Sequence, residues 1–273
     1  MVGCSRFVGM HEIDGVPLTP KQLKTFAPPV FSDLKQERQH RKERLVGALR
    51  IFGALGFGEG VAGHITARDP EYIDHFWVNP FAMSFKRVCI SDLLLVNHRG
   101  DVVIGELPVN RAAFVLHSAI HQRRPEVIAA AHAHSPYGKA FSSLGKQLDP
   151  ITQDACSFYK QHQLISVDGG RVVLEAESAN CFADNFLAGK AAIHQNHGLF
   201  TVGETIDSAA FWFIAMERCC QAQLLAEAAG TPKLIRDEWA SYTSQQIGNE
   251  LAGWYGFQSF WEEIITTDID MFD

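Results

Sequence analysis

Two histidines separated by a single residue, His132 and His134, lie in the apolar run VIAAAHAHS (127–135). The run predicts a buried strand, and side chains two positions apart on a strand lie on the same face. Both imidazoles can therefore point at a common centre, and imidazole nitrogens are suitable ligands for divalent transition metals. By itself the pattern also fits packed or solvated histidines, but it lies just before a predicted turn at Ser135-Pro136, where open sites are commonly built.

A third histidine, His197, comes immediately before Gly198 in a second strand-like run (190–202). A catalytic zinc site takes three protein ligands and one open position. The open position lets the metal act as a Lewis acid on a carboxylate, carbonyl or enolate oxygen. His194 competes for this role, but on a regular strand it would face away from His197, so we predict His197 as the ligand and keep His194 as the alternative.

Hydrophobic periodicity, helix caps and turn residues predict the elements that position these histidines. The predicted helices cover about 32–55 (with Ser32 as N-cap), 110–123, 152–161, 176–188 and 205–229, with a further helix starting at Ser135-Pro136. The predicted strands are 64–68, 76–79, 92–96, 101–105, 127–135, 171–174 and 190–202. Strands and helices mix without a strict βαβ alternation, which favours a single three-layer α/β/α domain.

The domain organisation follows from the ends of this pattern. We predict an extended N-terminal arm over 1–31, the α/β domain over 32–232, and an aromatic-rich tail over 233–273 that packs on its own or on a neighbouring subunit.

His117 and His121, four apart on a predicted helix, resemble a metal-binding pair. No third ligand suggests itself for them, so we interpret them as part of a helix face.

Composition excludes several classes of protein. The 273 residues are 47% apolar and 20% charged, which is typical of a globular chain. A formal net charge of −7 argues against general binding to nucleic acid or anionic membranes. There is no run of 18 apolar residues and no secretory leader pattern, and the six cysteines show no CxxC spacing, so we expect a cytoplasmic protein.

Five sequence segments together carry a resemblance to a known family. They are GVAGHITARDP (60–70), ELP followed by a predicted helix (106–121), AAAHAHSPYGKAFS (129–142), PITQDACSFY (150–159) and AAIHQNHGLFTVGETIDSAAF (191–211). In order and spacing they resemble the class II aldolase/adducin family over roughly residues 40–230. The resemblance implies an α/β/α domain with a mixed, largely antiparallel sheet and a homotetramer with active sites at subunit interfaces. It also implies a divalent metal on His132, His134 and His197.

The chain departs from the sugar-phosphate aldolases that it resembles. The differing positions are Val109, Asn110 and either Arg111 or Ala113 in place of Ser-Ser-Glu, Phe81-Ala82 in place of Thr-Gly, and His64 in place of Asn. The phosphate cradle thereby loses hydroxyls and gains apolar surface, which favours an apolar or aromatic carboxylate as substrate. We predict that His64, Phe81 and Asn110 bind this substrate.

The segment after the HxH pair supplies candidates for the proton donor. Asp154 and Tyr159 fall on the predicted short helix where related dehydratases carry an acid. Their spacing of five residues suits a shared helix face poorly, so we expect only one of them to enter the site. The alternatives are a carboxylate that stabilises the helix N-terminus and a tyrosine that packs in the core. Gln153 is assigned to substrate binding or to orienting a metal-bound water, with a surface position as its alternative.

These residues predict a metal-dependent lyase that cleaves a carbon–carbon bond next to a carboxylate or carbonyl, by decarboxylation or retro-aldol cleavage. The predicted substrate is a small, non-phosphorylated molecule, and aromatic acids are among the candidates. Zinc is the first choice of metal, with iron and manganese as alternatives. Two other functions stay open: a non-haem iron oxygenase on the same three histidines, and a non-catalytic adducin-like interaction module.

Overall fold

The computed structural model describes residues 12–13, 16–17 and 27–273. The chain divides into two compact units, one ending at Ser32 and the other running from Asp33 to Asp273. In the first unit, β1 (Glu12–Ile13) and β2 (Val16–Pro17) form an antiparallel pair. The rest of the predicted arm up to residue 26 lies outside the described residues.

An eight-stranded sheet forms the centre of the second unit. Its strands are β3 (His64–Arg68), β4 (His75–Val78), β5 (Leu94–Asn97), β6 (Val102–Ile104), β7 (Ala129–Ala133), β8 (His162–Ile165), β9 (Ala191–His194) and β10 (Gly198–Gly203). The strand order is β6-β5-β4-β3-β7-β10-β9-β8. Among the described strands, only β8 and β9 pair in parallel, so the predicted mixed and largely antiparallel sheet is confirmed.

Seven α-helices cover the two faces of the sheet within the described residues. They are α1 (Leu34–Ala54), α2 (Arg111–Arg123), α3 (Pro136–Ser142), α4 (Ala176–Asp184), α5 (Ile206–Ala229), α6 (Asp237–Ile247) and α7 (Glu250–Thr267). Short 3₁₀ helices lie at Phe85–Arg87, Ile90–Asp92, Asp154–Phe158 and Ile269–Phe272. No helix in the part of the chain that the structure describes is long and apolar enough to span a bilayer.

Alternation along β7 divides the core into two layers. Ala129, Ala131 and Ala133 pack in the larger cluster with residues of α1 and α5. Ala130 packs in the cluster on the other face with residues of α2 and α4. Because the side-chain period is two, His132 shares the face of Ala130 and emerges where the strand ends. The three-layer α/β/α prediction is thus confirmed.

Two predicted element boundaries were wrong in instructive ways. Asp33, not Ser32, is the N-cap of α1, and its carboxylate accepts a hydrogen bond of 2.8 Å from the Lys35 amide. The predicted helix over 152–161 is reduced to the 3₁₀ helix Asp154–Phe158. Both residue types at 32 and 33 can cap a helix, so backbone geometry decided between them.

One strand was predicted in the wrong place. The segment 171–174 forms no strand, and Val172 in it is 70% exposed. The strand β8 was missed, and it pairs with β9 through His162↔Ala191 and Ile165↔His194. Pairing with a strand about thirty residues later is a tertiary contact that local alternation does not reveal.

The aromatic tail packs on its own domain in this chain. Helix α7 lies against α5 and α1. The guanidinium of Arg44 is buried between the Asp207 carboxylate and the Trp261 ring, with its carbon 3.7 Å from the ring centroid. The tail therefore covers a buried ion pair that links α1 to α5.

The turn that follows β3 is fixed by a buried carboxylate. Asp69 accepts hydrogen bonds of 2.6 and 2.8 Å from Arg38 and of 2.9 Å from the Trp77 indole. Burial alone would raise its pKa, but these bonds and those from the Glu71 and Tyr72 amides lower the pKa to about 2. The carboxylate thus ties α1 to the strand that carries His64.

Replacing Asp69 with asparagine is expected to lower the free energy of unfolding by about 2 kcal/mol at pH 7. The native pKa lies below the unfolded value of 3.8, so this stabilisation is present above pH 3.8 and is lost as the pH falls towards 2. Urea unfolding at pH 7, 4 and 3 should therefore show the difference between the two proteins shrinking. Asp74→Asn, at an exposed carboxylate, is the control and should change little; a constant difference at all three pH values would contradict the assignment.

Candidate metal centre

Strand pairing brings the three predicted metal ligands together. His132 lies in β7 and pairs with Phe200 of β10. The turn that joins β9 to β10 therefore places His197 beside the end of β7 and His134. Asn196 holds this turn with a φ of 58°, a left-handed conformation that asparagine tolerates better than most residues.

The three rings form a nearly equilateral tripod. Their centroids are 5.2 Å apart for His132 and His134, 4.9 Å for His132 and His197, and 5.0 Å for His134 and His197, with interplanar angles of 76° to 86°. One nitrogen from each ring lies within 4.8 Å of the other two. Nitrogen ligands of a tetrahedral zinc are roughly 3.4 Å apart, a spacing within reach of small side-chain rotations. The donor set fits a divalent transition metal with open positions.

The most buried of the three candidate ligands, His132, has a fixed tautomer. Its Nδ1–H donates a hydrogen bond of 2.8 Å to the carbonyl of Leu199, which leaves Nε2 bare. The ring stacks on Phe200 at a centroid distance of 4.0 Å and an angle of 10°. Such partners orient a metal-binding imidazole and set the nitrogen that it offers.

Burial keeps the three histidines in the unprotonated form. It lowers the pKa of His132 well below its ordinary value, with a further lowering from the neighbouring rings. Burial also lowers the pKa of His134, and it lowers that of His197 to about 3. Neutral imidazole is the form that binds metal, so the cluster is prepared for a cation.

His194 lies beside the tripod without joining it. Its Nε2–H donates a hydrogen bond of 2.8 Å to the carbonyl of Val167, and its ring stacks on His197 at 4.9 Å. The expectation that His194 and His197 face opposite ways was wrong because the chain turns between them, with the His197 amide bonded to the His194 carbonyl. His194 thus orients His197.

The tripod opens onto a cavity of about 700 Å³. The predicted substrate-binding residues His64, Phe81 and Asn110 all line it. Asn110 also has a structural role, because its amide caps α2 by accepting from the Ala112 amide at 3.0 Å and donates to the Val61 carbonyl at 3.1 Å. A pocket of this size suits a small molecule.

Most of the other residues that line the cavity are apolar, but three positively charged side chains also line it. The cations are Arg111, Lys139 and Arg171. Arg171 pairs with Asp168 at 2.7 Å and Lys139 with Glu59 at 3.4 Å, whereas Arg111 has no ion pair within the described part of the chain. Sequence reasoning assigned no role to these cations. They come from separate elements, and only the spacing of Arg111 after Leu-Pro offered a signal.

Comparison with known proteins gives the family. The sequence profile of the class II aldolase and adducin N-terminal domain matches residues 43–224. The chain belongs to the class II aldolase and adducin family. This confirms the family that the motifs resembled.

Relatives of this class II aldolase family member carry different activities in their names. The chain is 42% identical to the decarboxylase NovR of Streptomyces niveus over 89% of its own length and 91% of the relative. It is also 42% identical to a 4-hydroxy-3-prenylphenylpyruvate oxygenase/4-hydroxy-3-prenylbenzoate synthase of Streptomyces roseochromogenus subsp. oscitans, over 89% and 88%. An L-fuculose 1-phosphate aldolase structure from Glaciozyma antarctica PI12 shares 46% identity and a TM-score of 0.85, covering 91% and 98%. The family and these relatives support a lyase-type enzyme.

Within a single chain of this class II aldolase family member, the predicted proton donors do not line the cavity beside the three histidines. Asp154, the first residue of the 3₁₀ helix, and Gln153, which precedes it, are exposed, and this helix contacts α6. The Tyr159 hydroxyl donates to the carboxylate of Asp237. No carboxylate lines the cavity among the described residues. A catalytic role for Asp154 or Tyr159 stays a prediction that requires a neighbouring subunit.

A buried glutamate on α5 supports the strand end that carries the HxH pair. Glu217 accepts hydrogen bonds from the Tyr137 amide at 2.8 Å, the Gly138 amide at 2.6 Å and the Ser135 hydroxyl. Ser135 stands at the predicted N-cap of α3, but its hydroxyl makes no cap bond and turns to this carboxylate instead. The backbone beside His134 is thereby held to the helix layer.

Glu217→Gln is expected to lower the free energy of unfolding by about 2 kcal/mol, because an amide NH₂ would face donors. Zinc affinity should fall about tenfold through the loosened position of His134. Urea unfolding and a competitive zinc titration measure the two effects. Glu227→Gln, at a half-buried carboxylate near the C-terminal end of the same helix that pairs with Lys146, should leave zinc affinity unchanged. Equal effects on zinc affinity at both positions would argue against the support role.

Proposed function

We propose that the chain is a metal-dependent carbon–carbon lyase that acts on a non-phosphorylated aromatic carboxylate, by decarboxylation or retro-aldol cleavage. The observation that carries this proposal is a three-histidine tripod that opens onto an apolar cavity with cations at its wall. A bound divalent metal, with zinc as the first choice and iron or manganese as alternatives, would supply Lewis acidity to an oxygen beside the bond that breaks.

The protein's own residues bind and orient the substrate in this proposal. Arg111 is the first residue of α2, so its guanidinium and the positive helix end both favour a substrate carboxylate. Phe81 and the valines of the wall provide an apolar surface for a ring and displace water from it. Leu116 adds to this surface from the first turns of α2.

Association with a second copy of the chain could supply the proton donor that the cavity of a single chain lacks. Apolar side chains at the cavity rim are exposed in the single chain: Val172 by 70%, Val61 by 53% and Phe81 by 41%. A neighbouring copy that covers this rim would remove apolar surface from water. We therefore propose a homotetramer in which Asp154 or Tyr159 of the adjacent subunit returns the proton. Light scattering measures the assembly.

The name of the prenylphenylpyruvate oxygenase/prenylbenzoate synthase relative supports an aromatic acid and leaves one competing reaction. An oxygenase name among them makes oxygen activation by iron on the same histidines the second candidate function. A cytoplasmic location also belongs to this proposal, supported by the unpaired thiols of all described cysteines.

The decisive experiment supplies 4-hydroxyphenylpyruvate, 2,4-dihydroxybenzoate, 3-hydroxy-3-(4-hydroxyphenyl)propanoate or L-fuculose 1-phosphate to the zinc-, manganese- or iron-loaded protein. Of these, the dihydroxybenzoate can lose CO₂ and the hydroxypropanoate can undergo retro-aldol cleavage to an aldehyde. Cleavage of an aromatic acid under argon, with release of CO₂ or an aldehyde, would support the lyase. Turnover only with iron and oxygen would favour the oxygenase. Cleavage of the sugar phosphate alone would overturn the aromatic carboxylate, and no metal binding at all would favour the non-catalytic adducin-like module.

A further inference from the structure

A line of hydrogen-bonded side chains runs behind the cavity wall and ends at His117. Arg68 lies 3.3 Å from His121 Nδ1 through its Nη2. His121 Nε2 lies 2.9 Å from the Thr66 hydroxyl, and the same hydroxyl lies 2.7 Å from His117 Nδ1. Thr66 and both histidines are buried.

The chemistry of the donors favours one direction for the bonds in this line. Arg68 Nη2 donates to the carbonyls of His121 at 2.7 Å and Arg124 at 3.3 Å as well as facing His121 Nδ1. Because a guanidinium has no acceptor, a neutral His121 ring beside it is favoured with a bare Nδ1 and its proton on Nε2. His121 then donates to the Thr66 oxygen, which leaves the hydroxyl hydrogen for His117 Nδ1. His117 therefore carries its proton on Nε2.

That Nε2–H has no hydrogen-bond partner in the described chain, and neither ring nitrogen of His64 has one. The His64 and His117 rings are in contact, with centroids 4.3 Å apart. The other aromatic ring near His117, Phe200 at 6.1 Å, has no acceptor nitrogen. Buried unpartnered polar groups are costly, so three of them side by side indicate a place that a ligand completes.

We propose that His117 is a positioning residue that sets the proton of His64. The His117 Nε2–H donates to one His64 nitrogen, which requires a rotation of the His64 ring and leaves the His64 proton on its other nitrogen. Because His64 lines the cavity with its ring centroid 5.2 Å from that of His132, this N–H donates to an anionic substrate oxygen beside the tripod. The inference rests on the proposed function for its ligand class, an aromatic carboxylate or its enolate.

The tautomer can be measured without substrate or metal. Long-range proton–nitrogen NMR on protein with ¹⁵N-labelled histidine distinguishes Nδ1–H from Nε2–H rings. We expect His117 as the Nε2–H form in the wild type and a mixture in Thr66→Val, which removes the hydroxyl and keeps the shape. A His117 proton on Nδ1 in the wild type would overturn the inference.

The consequence for binding is tested with zinc-loaded protein and two matched probes, 4-hydroxybenzoate and 4-hydroxybenzamide. The wild type should bind the carboxylate about tenfold more tightly than the amide. Thr66→Val and His117→Phe should reduce this preference to the part that Arg111 supplies, whereas His117→Gln, which keeps an N–H near the Nε2 position, should retain it in full. Zinc content and circular dichroism should be unchanged in all three variants.

A preference that is undiminished in both Thr66→Val and His117→Phe, or that is absent from the wild type, would overturn the role of His117. Failure of the proposed function has a different signature. In that case the protein would turn over none of the aromatic acids, while the His117 tautomer and the preference for the carboxylate probe would be as expected.

Discussion

Replacing His197 with alanine is expected to weaken zinc binding by more than about 100-fold and to abolish turnover. Loss of a residue that only orients a ligand already costs about 10- to 100-fold in metal affinity, and His197 is a proposed ligand itself. Two imidazoles would remain, fewer than the three protein ligands of a catalytic zinc site. Elemental analysis after dialysis and a competitive titration measure the loss.

His162→Ala provides the matched control for this experiment. His162 is a buried strand histidine whose nitrogens bond to the Phe158 carbonyl at 2.7 Å and the Leu148 amide at 2.9 Å. Its loss should destabilise the fold and leave one zinc site per chain. His132→Ala should behave like His197→Ala; full metal and activity in both ligand variants would refute the tripod.

The helices that frame the site could be predicted because their signals are local. Thr205 caps α5 by accepting from the Ser208 amide at 3.0 Å, as its type and position predict. Gly230 ends the same helix. The strand β8 could not be predicted in this way, because its partner β9 is distant in the sequence and its own residues do not alternate clearly.

In the candidate site, too, the features with local sequence signals could be predicted, and those that depend on contacts between distant segments could not. The period of two in β7 was enough to predict that His132 and His134 share a centre. The position of His197 is set by the tight turn between β9 and β10. Because of this turn, the alternation of side chains along a strand gave a wrong orientation for His194 relative to His197. His117 and His121 were predicted only as a helix face, since their common partner Thr66 belongs to another element.

Arg111→Met is expected to lower kcat/KM for an aromatic carboxylate by about 10- to 100-fold, the effect of losing one charge-assisted hydrogen bond. Methionine keeps much of the side chain's length and apolar stem, so the cavity wall should stay intact. KM should carry most of the loss if the carboxylate is held equally before and during bond cleavage.

Arg171→Met is the matched control for Arg111→Met, because it removes another arginine that lines the same cavity. Arg171 lines the same cavity and is exposed like Arg111, but its guanidinium is already bonded to Asp168. An exposed pair of this kind contributes little, so we expect a change of less than about threefold. Steady-state kinetics with the carboxylate and its amide analogue separate the two arginines. If Arg171→Met had the larger effect, the substrate carboxylate would lie beside Arg171, and the assignment of α2 as its binding element would be wrong.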